Sequence, residues 1–90
     1  MHNEHAEDQA PAPYPLVQEL AAARKKQAIT QADLAHQAGL SRMTVQRLES
    51  NGLDPRLSTL QEMAKVLDHE LVLIPSHLRE AFNSWLKSSV

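Results

Sequence analysis

The sequence predicts an all-α fold of five helices, with one short strand between the fourth helix and the fifth. Apolar residues recur at steps of three and four along most of the chain, which is the period of a helix that buries one face. Residues that cap or end helices separate these stretches, among them Thr30, Gly39 and Ser41. A chain of 90 residues has room for one small domain.

Composition restricts the class of protein. Hydrophobic residues make up 42% of the chain and charged residues 22%, which excludes a fibrous or wholly disordered protein. The chain has no cysteine, which excludes disulfides, zinc–thiolate sites and thiol catalysis and fits a cytoplasmic protein. No apolar run approaches the roughly 20 residues that a membrane span needs. We expect no metal, no cofactor and no membrane partner.

Charge is distributed unevenly. Residues 1–13 hold three acidic residues and no Lys or Arg, and we expect them to form a disordered acidic tail. Residues 14–57 hold six Lys or Arg against four Asp or Glu, although the formal net charge of the whole chain is −2. A mildly basic middle is compatible with a surface that faces a nucleic acid. A solvated surface of mixed sign explains so small an excess equally well.

The first two helices are predicted from a start after Pro15 and from a capped start at Thr30. The Thr30 hydroxyl can accept a hydrogen bond in the first turn, and Asp33 there favours the helix dipole. Gly39 ends the second helix because glycine adopts a positive φ without a side-chain clash. The inward positions of the two helices are Leu16, Val17, Leu20, Ala21 and Arg24, then Leu34, Ala35 and Ala38.

Ser41 is expected to cap the third helix, which buries Val45 and Leu48 and ends at Asn51-Gly52. Ser58 followed by Gln61 has the spacing of a capping box and predicts the start of the fourth helix. The buried positions of the fourth helix are Leu60, Met63, Ala64 and Leu67.

The run Glu70–Pro75 is short, branched and apolar, and it ends at proline, so we interpret it as a strand. A lone strand leaves its backbone groups unpaired, and the chain offers no second strand. We therefore expect the same strand of a second copy as its partner, in a two-stranded ribbon about a two-fold axis. Continuation of the fourth helix is the alternative. The predicted dimerisation residues are Leu71, Val72, Leu73 and Ile74.

The last helix has the clearest amphipathic pattern, formed by Leu78, Ala81, Phe82, Trp85 and Leu86. Two interpretations stay open. The apolar stripe packs within the dimer, or Phe82 and Trp85 dock onto another protein, since Trp is enriched at interface hot spots.

The second helix, a short glycine turn and the third helix have the arrangement of a helix-turn-helix. Ala35 is small where the two helices cross, and Val45 and Leu48 anchor the third helix on the second. The opposite side of the third helix is then free to enter a DNA major groove, which is about 12 Å wide.

At these residues the chain resembles the Cro/phage-repressor helix-turn-helix family, also called the XRE family. The segments TQADLAHQAGLS and TVQRLESNG carry the resemblance, which covers roughly residues 16–67. It implies a five-helix DNA-binding fold that binds a palindromic operator as a dimer, with the helix-turn-helix DNA-binding domain here in residues 14–69. Residues 70–90 then supply the dimerisation strand and the C-terminal helix.

The resemblance also implies roles for single residues. Arg42, Met43, Gln46 and Arg47 match positions that read bases, although Met43 departs from the polar residue often found there. Arg24 and Glu49 match a structural ion pair between the first and third helices. Phosphate contacts are implied for Gln31, Ser41 and Thr44, and are as plausible as solvated charge for Lys25, Lys26 and Arg56.

A narrower resemblance concerns the fourth helix and the segment Leu67–Pro75, which are similar to HipB-type antitoxins. It implies a HipA-like serine/threonine kinase toxin as partner and repression of the antitoxin's own operon. A stand-alone XRE-family regulator without a toxin is the alternative. We expect no enzyme, because His36, His69 and His77 are scattered and no catalytic motif occurs.

Overall fold

The computed structural model describes residues 14–51 and 53–89 of the chain. Within these ranges the fold is entirely helical, which confirms the predicted all-α class. The predicted N-terminal tail and Gly52 lie outside the described residues. The five α-helices are α1 (Pro15–Lys26), α2 (Gln31–Ala38), α3 (Arg42–Asn51), α4 (Leu57–Val66) and α5 (Arg79–Ser89), the last preceded by a 3-10 turn at Ser76–Leu78.

Both ends of α2 and the start of α3 have the capping residues that the sequence predicts. Thr30 Oγ1 accepts a hydrogen bond from the backbone N–H of Asp33 at 3.0 Å, and Ser41 Oγ accepts one from the N–H of Thr44 at 3.0 Å. Gly39 ends α2 in the left-handed region with φ +74°, the conformation that glycine adopts at lowest cost.

The predicted capping box at Ser58 is wrong. The helix α4 begins one residue earlier, at Leu57, and Arg56 is its N-cap residue without a side-chain hydrogen bond. Ser58 therefore lies inside the first turn, where its own backbone is already helical. The backbone conformation marks where α4 begins. Arg56 is extended with φ −74° and ψ 147°, and helical dihedrals start at Leu57.

The hydrophobic core lies where α2 packs against α3 and α4, with α1 closing one side. Ala35 is only 2% exposed, and its small side chain allows the helices to approach closely. The buried apolar residues are Val17, Leu20, Leu34, Ala35, Ala38, Val45, Leu48, Leu60, Met63, Ala64 and Leu67.

Residues 69–75 have no regular secondary structure, so the predicted strand is not formed in a single chain. A strand is defined by hydrogen bonds to a neighbouring strand, and the described part of one chain supplies no neighbour. The alternative, a longer fourth helix, is wrong. The helix α4 ends at Val66, and Asp68 turns the chain with φ +60° while the His69 N–H bonds to the Ala64 carbonyl at 2.8 Å. Strand pairing between two copies stays a prediction.

The C-terminal part of the chain is far less buried than the core. Leu71 packs against the edge of the core, whereas Val72 and Leu73 are exposed. Phe82 is half-buried and stacks on the exposed Trp85, with 6.0 Å between ring centroids. No helix in the described ranges has both the length and the apolarity that crossing a bilayer requires.

Candidate nucleic-acid interface

One face of α3 presents all four predicted base-reading residues. Arg42, Met43, Gln46 and Arg47 are exposed, whereas Val45 and Leu48 on the opposite face are 0% and 1% exposed. The steps of one, four and five residues from Arg42 place these four side chains on one side of a helix. In the described part of the chain, no hydrogen bond or ion pair engages the side chains of Arg42, Gln46 or Arg47. The two guanidinium groups therefore present hydrogen-bond donors to solvent, and the Gln46 amide presents both donors and an acceptor.

The turn between α2 and α3 holds this face away from the core. The Leu40 N–H bonds to the Ala35 carbonyl at 2.8 Å, which closes the end of α2 around Gly39. Ser41, two residues after Gly39, caps α3, which begins at Arg42. This short connection fixes the crossing of the two helices, and the buried Val45 and Leu48 fix the rotation of α3 about its axis.

Ser41 and Thr44 place two hydroxyls at the N-terminus of α3. Ser41 Oγ and Thr44 Oγ1 are 2.9 Å apart and hydrogen-bonded, and Ser41 is exposed. The first turn of a helix also presents backbone N–H groups and the positive end of its dipole, which favours anions. Both predicted phosphate-contact hydroxyls therefore lie where an anion is electrostatically favoured.

Arg24 and Glu49 are brought together in a two-pronged ion pair. Arg24 donates from Nε to Glu49 Oε2 at 2.9 Å and from Nη2 to Oε1 at 2.8 Å. The two side chains are 10% and 8% exposed, so water screens the pair weakly. Arg24 Nη1 also donates to the Ile29 carbonyl at 2.8 Å. The pair therefore ties α1, the α1–α2 loop and α3 together.

The same carboxylate holds Gln31, a contact that the sequence did not predict. Gln31 Nε2 donates to Glu49 Oε1 at 3.0 Å. The amide nitrogen carries two hydrogens, so the second remains available for the phosphate contact predicted for this residue. Helical spacing on α3 places Glu49 near α1 but gives no information on which residue of α2 reaches it, so the sequence carries no signal for this hydrogen bond.

The environment of Glu49 favours its charged form. Burial opposes ionisation, but hydrogen bonds from Arg24 and Gln31 and the positive charges of Arg24 and Lys25 outweigh it. The pKa of Glu49 therefore lies below its ordinary value, which favours the charged ion pair.

The three remaining cationic candidates are exposed. Lys25 and Lys26 lie in the last turn of α1, where the helix dipole also favours cations, and Arg56 precedes α4. The two lysines therefore have a structural explanation that is independent of a phosphate, whereas the helix dipole gives none for Arg56 at a helix N-terminus. Among the described residues, no group of three His, Cys, Asp or Glu is placed to hold a metal ion.

Comparison with known proteins defines the class. The helix-turn-helix family profile matches residues 20–73, which is more than half of the chain and includes α2, the turn and α3. The chain belongs to this family, of XRE type, so the resemblance of its sequence to the Cro/phage-repressor family is confirmed.

Two relatives are similar over most of the chain. An uncharacterized HTH-type transcriptional regulator, y4dL, of Sinorhizobium fredii is 34% identical over 74 residues, which is 82% of this chain and 38% of that protein. Antitoxin HigA1 of Mycobacterium tuberculosis is 41% identical over 59 residues, which is 66% of this chain and 40% of that protein. The chain thus spans well under half the length of either relative.

Proposed function

We propose that this protein is a sequence-specific DNA-binding transcriptional repressor that inserts α3 into the major groove. The observation that carries the proposal is the exposed face of α3, where Arg42, Gln46 and Arg47 have no protein partner among the described residues. Long polar side chains that are held on a rigid helix and left unpaired suit the reading of base edges.

The four side chains on this face suit different bases. Arg42 and Arg47 can each donate two hydrogen bonds to guanine O6 and N7, and Gln46 can pair with adenine N6 and N7. Met43 is 54% exposed and offers only apolar contact, which suits a thymine methyl group. This set implies a half-site that contains guanine next to A·T pairs.

Contacts to the DNA backbone would orient α3 in the groove. In the proposal Ser41 and Thr44 contact one phosphate at the N-terminus of α3, and the free amide hydrogen of Gln31 contacts another. The exposed charges of Lys25, Lys26 and Arg56 add contacts that do not depend on sequence.

In this proposal the protein acts as a homodimer. Residues 14–69 bind DNA and residues 70–90 associate, with Leu71–Ile74 of two copies pairing as strands. Two copies of α3 would then read half-sites about 34 Å apart, or a small multiple of that distance, on a palindromic operator.

An antitoxin role is the more specific form of this proposal. It is supported by the similarity to a protein named antitoxin HigA1 and by the resemblance of Leu67–Pro75 to HipB-type antitoxins, whose partner is a kinase toxin. A stand-alone regulator is the second candidate, favoured by the longer match to a protein named as a transcriptional regulator. Neither candidate requires catalysis by this chain.

The test is the sequence preference of an Arg47→Ala variant. Selection from random DNA, followed by fluorescence anisotropy on the selected site, should show a loss of about 1–3 kcal/mol per half-site and a relaxed preference at one base position. The reason is that alanine leaves one guanine edge without its donors.

Lys87→Ala is the matched control, because it removes an exposed cation on α5, outside α3. It should leave both the affinity and the selected sequence unchanged. An Arg47→Ala protein that selects the same sites with the same affinity would remove Arg47 from the base-reading set. Loss of binding in both variants would point to bulk charge instead of base reading.

A further inference from the structure

Met43 is the one apolar member of the four predicted base-reading side chains on α3. It is 54% exposed, and Arg42, Gln46 and Arg47 lie beside it on the same face of the helix. In the described part of the chain the other methionine is Met63, which is 0% exposed in the core. Two thioethers of the same chemistry therefore lie in opposite environments, one open to solvent and one buried.

A thioether is oxidised by a peroxide that reaches its sulfur atom from solvent. The sulfur lone pair attacks one oxygen of hydrogen peroxide, the O–O bond breaks, and the proton of the transferred hydroxyl passes to the departing hydroxide. The products are methionine sulfoxide and water, with the sulfur oxidised by two electrons and the peroxide reduced by two. A peroxide reaches Met43 in the folded chain, whereas Met63 becomes accessible only when the core opens.

We propose that Met43 is a site of reversible oxidation by peroxides, and that its sulfoxide releases the protein from DNA. The proposal rests on the proposed function, since it requires that α3 enters the major groove. It adds a chemical signal to which the repressor responds. Methionine sulfoxide reductases return the sulfoxide to methionine, so the signal is reversible.

The first effect of oxidation concerns the contact of Met43 with a base. A thioether suits a thymine methyl group because neither group needs a hydrogen bond. The oxygen of a sulfoxide is a polar acceptor, and a methyl group offers it no donor. Closing the interface would remove water from that oxygen without replacing the lost hydrogen bonds, which is costly. Oxidation therefore disfavours the contact that the reduced side chain makes.

The second effect concerns Arg47, which lies one turn further along α3. Residues four apart are neighbours on a helix surface, so a new oxygen on Met43 lies within reach of the Arg47 guanidinium. Among the described residues no hydrogen bond or ion pair holds this guanidinium. The sulfoxide oxygen therefore competes with guanine O6 and N7 for its donors. Oxidation of one side chain weakens the reading of two base positions.

The fold does not depend on the oxidation state of Met43. The residues that hold α3 on the core are Val45 and Leu48, which are buried on the opposite face of the helix. Oxidation of Met63 would instead place a polar oxygen in the core, where it costs stability. Loss of DNA binding at unchanged helicity is therefore the expected signature of oxidation at Met43.

The experiment treats the full chain with hydrogen peroxide. Peptide mass mapping counts the oxygen added at each methionine, circular dichroism measures helicity, and fluorescence anisotropy measures affinity for DNA sites selected by the untreated protein. We expect one oxygen on Met43, none on Met63, unchanged helicity and a loss of affinity of at least about tenfold. Reductases for both sulfoxide epimers should restore the affinity.

Met43→Leu is the test variant, because it removes the reactive sulfur and keeps the other two methionines of the chain. Each protein is compared with its own untreated sample, so a different starting affinity of the variant does not enter the comparison. Peroxide should leave the affinity of Met43→Leu at its untreated value. An equal loss in the variant would place the sensitive group at another residue and would overturn the proposal.

Protection by DNA separates this proposal from the proposed function. If α3 enters the groove, bound DNA should slow the oxidation of Met43, because base pairs then cover the thioether. An unchanged oxidation rate in the complex would mean that α3 lies away from the DNA, which contradicts the proposed function and this proposal together. Protection by DNA, combined with an oxidised protein that binds as tightly as the untreated one, would overturn the oxidation proposal alone.

Discussion

At the scale of single residues, Glu49 contributes both to the stability of the fold and to the position of Gln31 in the candidate interface. Its carboxylate accepts hydrogen bonds from Arg24, which holds the α1–α2 loop, and from Gln31, the first residue of α2. Removing the charge would leave the guanidinium of Arg24 buried without its partner, which costs more than the pair itself contributes. The hydrogen bond from Gln31 would then have a neutral and weaker acceptor.

We expect Glu49→Gln to lower the free energy of unfolding by about 1–3 kcal/mol at pH 7, because a charge-assisted pair becomes a neutral hydrogen bond. The pKa of Glu49 is lowered in the folded chain, so its stabilisation is present above the unfolded pKa of about 4.3 and is lost as the pH falls through the folded value. The difference between the two proteins should therefore shrink toward pH 3. Urea unfolding at pH 7, 5 and 3 measures it.

Glu62→Gln is the matched control for Glu49→Gln. Glu62 lies 3.4 Å from Lys65 in an exposed pair, with side chains 50% and 75% accessible, respectively. Water screens such a pair, and the substitution should change stability by less than about 0.5 kcal/mol at pH 7. A Glu49 effect that is equally small, or independent of pH, would contradict the stabilising role of the buried pair.

At the scale of elements, the ends of helices separate what sequence predicts from what it does not. Thr30 and Ser41 accept N-cap hydrogen bonds and Gly39 ends α2 with positive φ, each where the sequence predicts it. Ser58 has a suitable hydroxyl but lies after an extended Arg56, so the helix starts before it. Ala28 and Asp68 turn the chain with positive φ although neither is glycine, so composition gives no signal there.

Two of the left-handed positions, Ala28 and Gly39, predict substitutions of opposite sign. Ala28 has φ +59°, and Ala28→Gly should stabilise the fold by about 0.5–1 kcal/mol, since a Cβ costs about 1–2 kcal/mol in this region and the greater entropy of glycine in the unfolded chain offsets part of the strain relieved. Gly39 has φ +74°, and Gly39→Ala should destabilise by about 1 kcal/mol. Thermal or urea unfolding of both variants measures the signs.

The destabilisation expected for Gly39→Ala does not come from a steric clash. A Cβ added at Gly39 would meet no heavy atom within 4 Å, so only the backbone conformation opposes alanine there. A loss far above about 2 kcal/mol would mean that the turn between α2 and α3 rearranges. A destabilised Ala28→Gly protein would mean that the entropy lost by glycine exceeds the strain relieved.

At the scale of the whole molecule, the sequence predicts the class, the position of α3 and, through the family resemblance, the Arg24–Glu49 pair between α1 and α3. It predicts none of the other contacts between distant elements. Most core positions follow from helical periodicity, because burial of one face repeats every three to four residues. Leu16, predicted to face inward, is instead 45% exposed. A groove between α1 and α5 joins residues far apart in the chain, from Leu16 to Leu86, and no local pattern encodes that approach. Residues 69–75 are irregular in the single chain, and their pairing as strands between two copies stays a prediction.

The charge of the whole molecule predicts a modest salt dependence of DNA binding. The formal net charge is −2, and only Lys25, Lys26 and Arg56 are cationic phosphate candidates in each copy. Each neutralised phosphate contributes about −0.9 to the slope of log K against log salt, so a dimer should show a slope no steeper than about −5. Anisotropy titrations across salt concentrations measure the slope.

Lys25→Ala with Lys26→Ala should reduce the magnitude of this slope by about 1 for each phosphate that is no longer neutralised, whereas Lys65→Ala should not change it. A steeper slope in the wild type, unaltered by the double substitution, would show that other cations hold the DNA and that the arginines of α3 bind phosphates instead of bases.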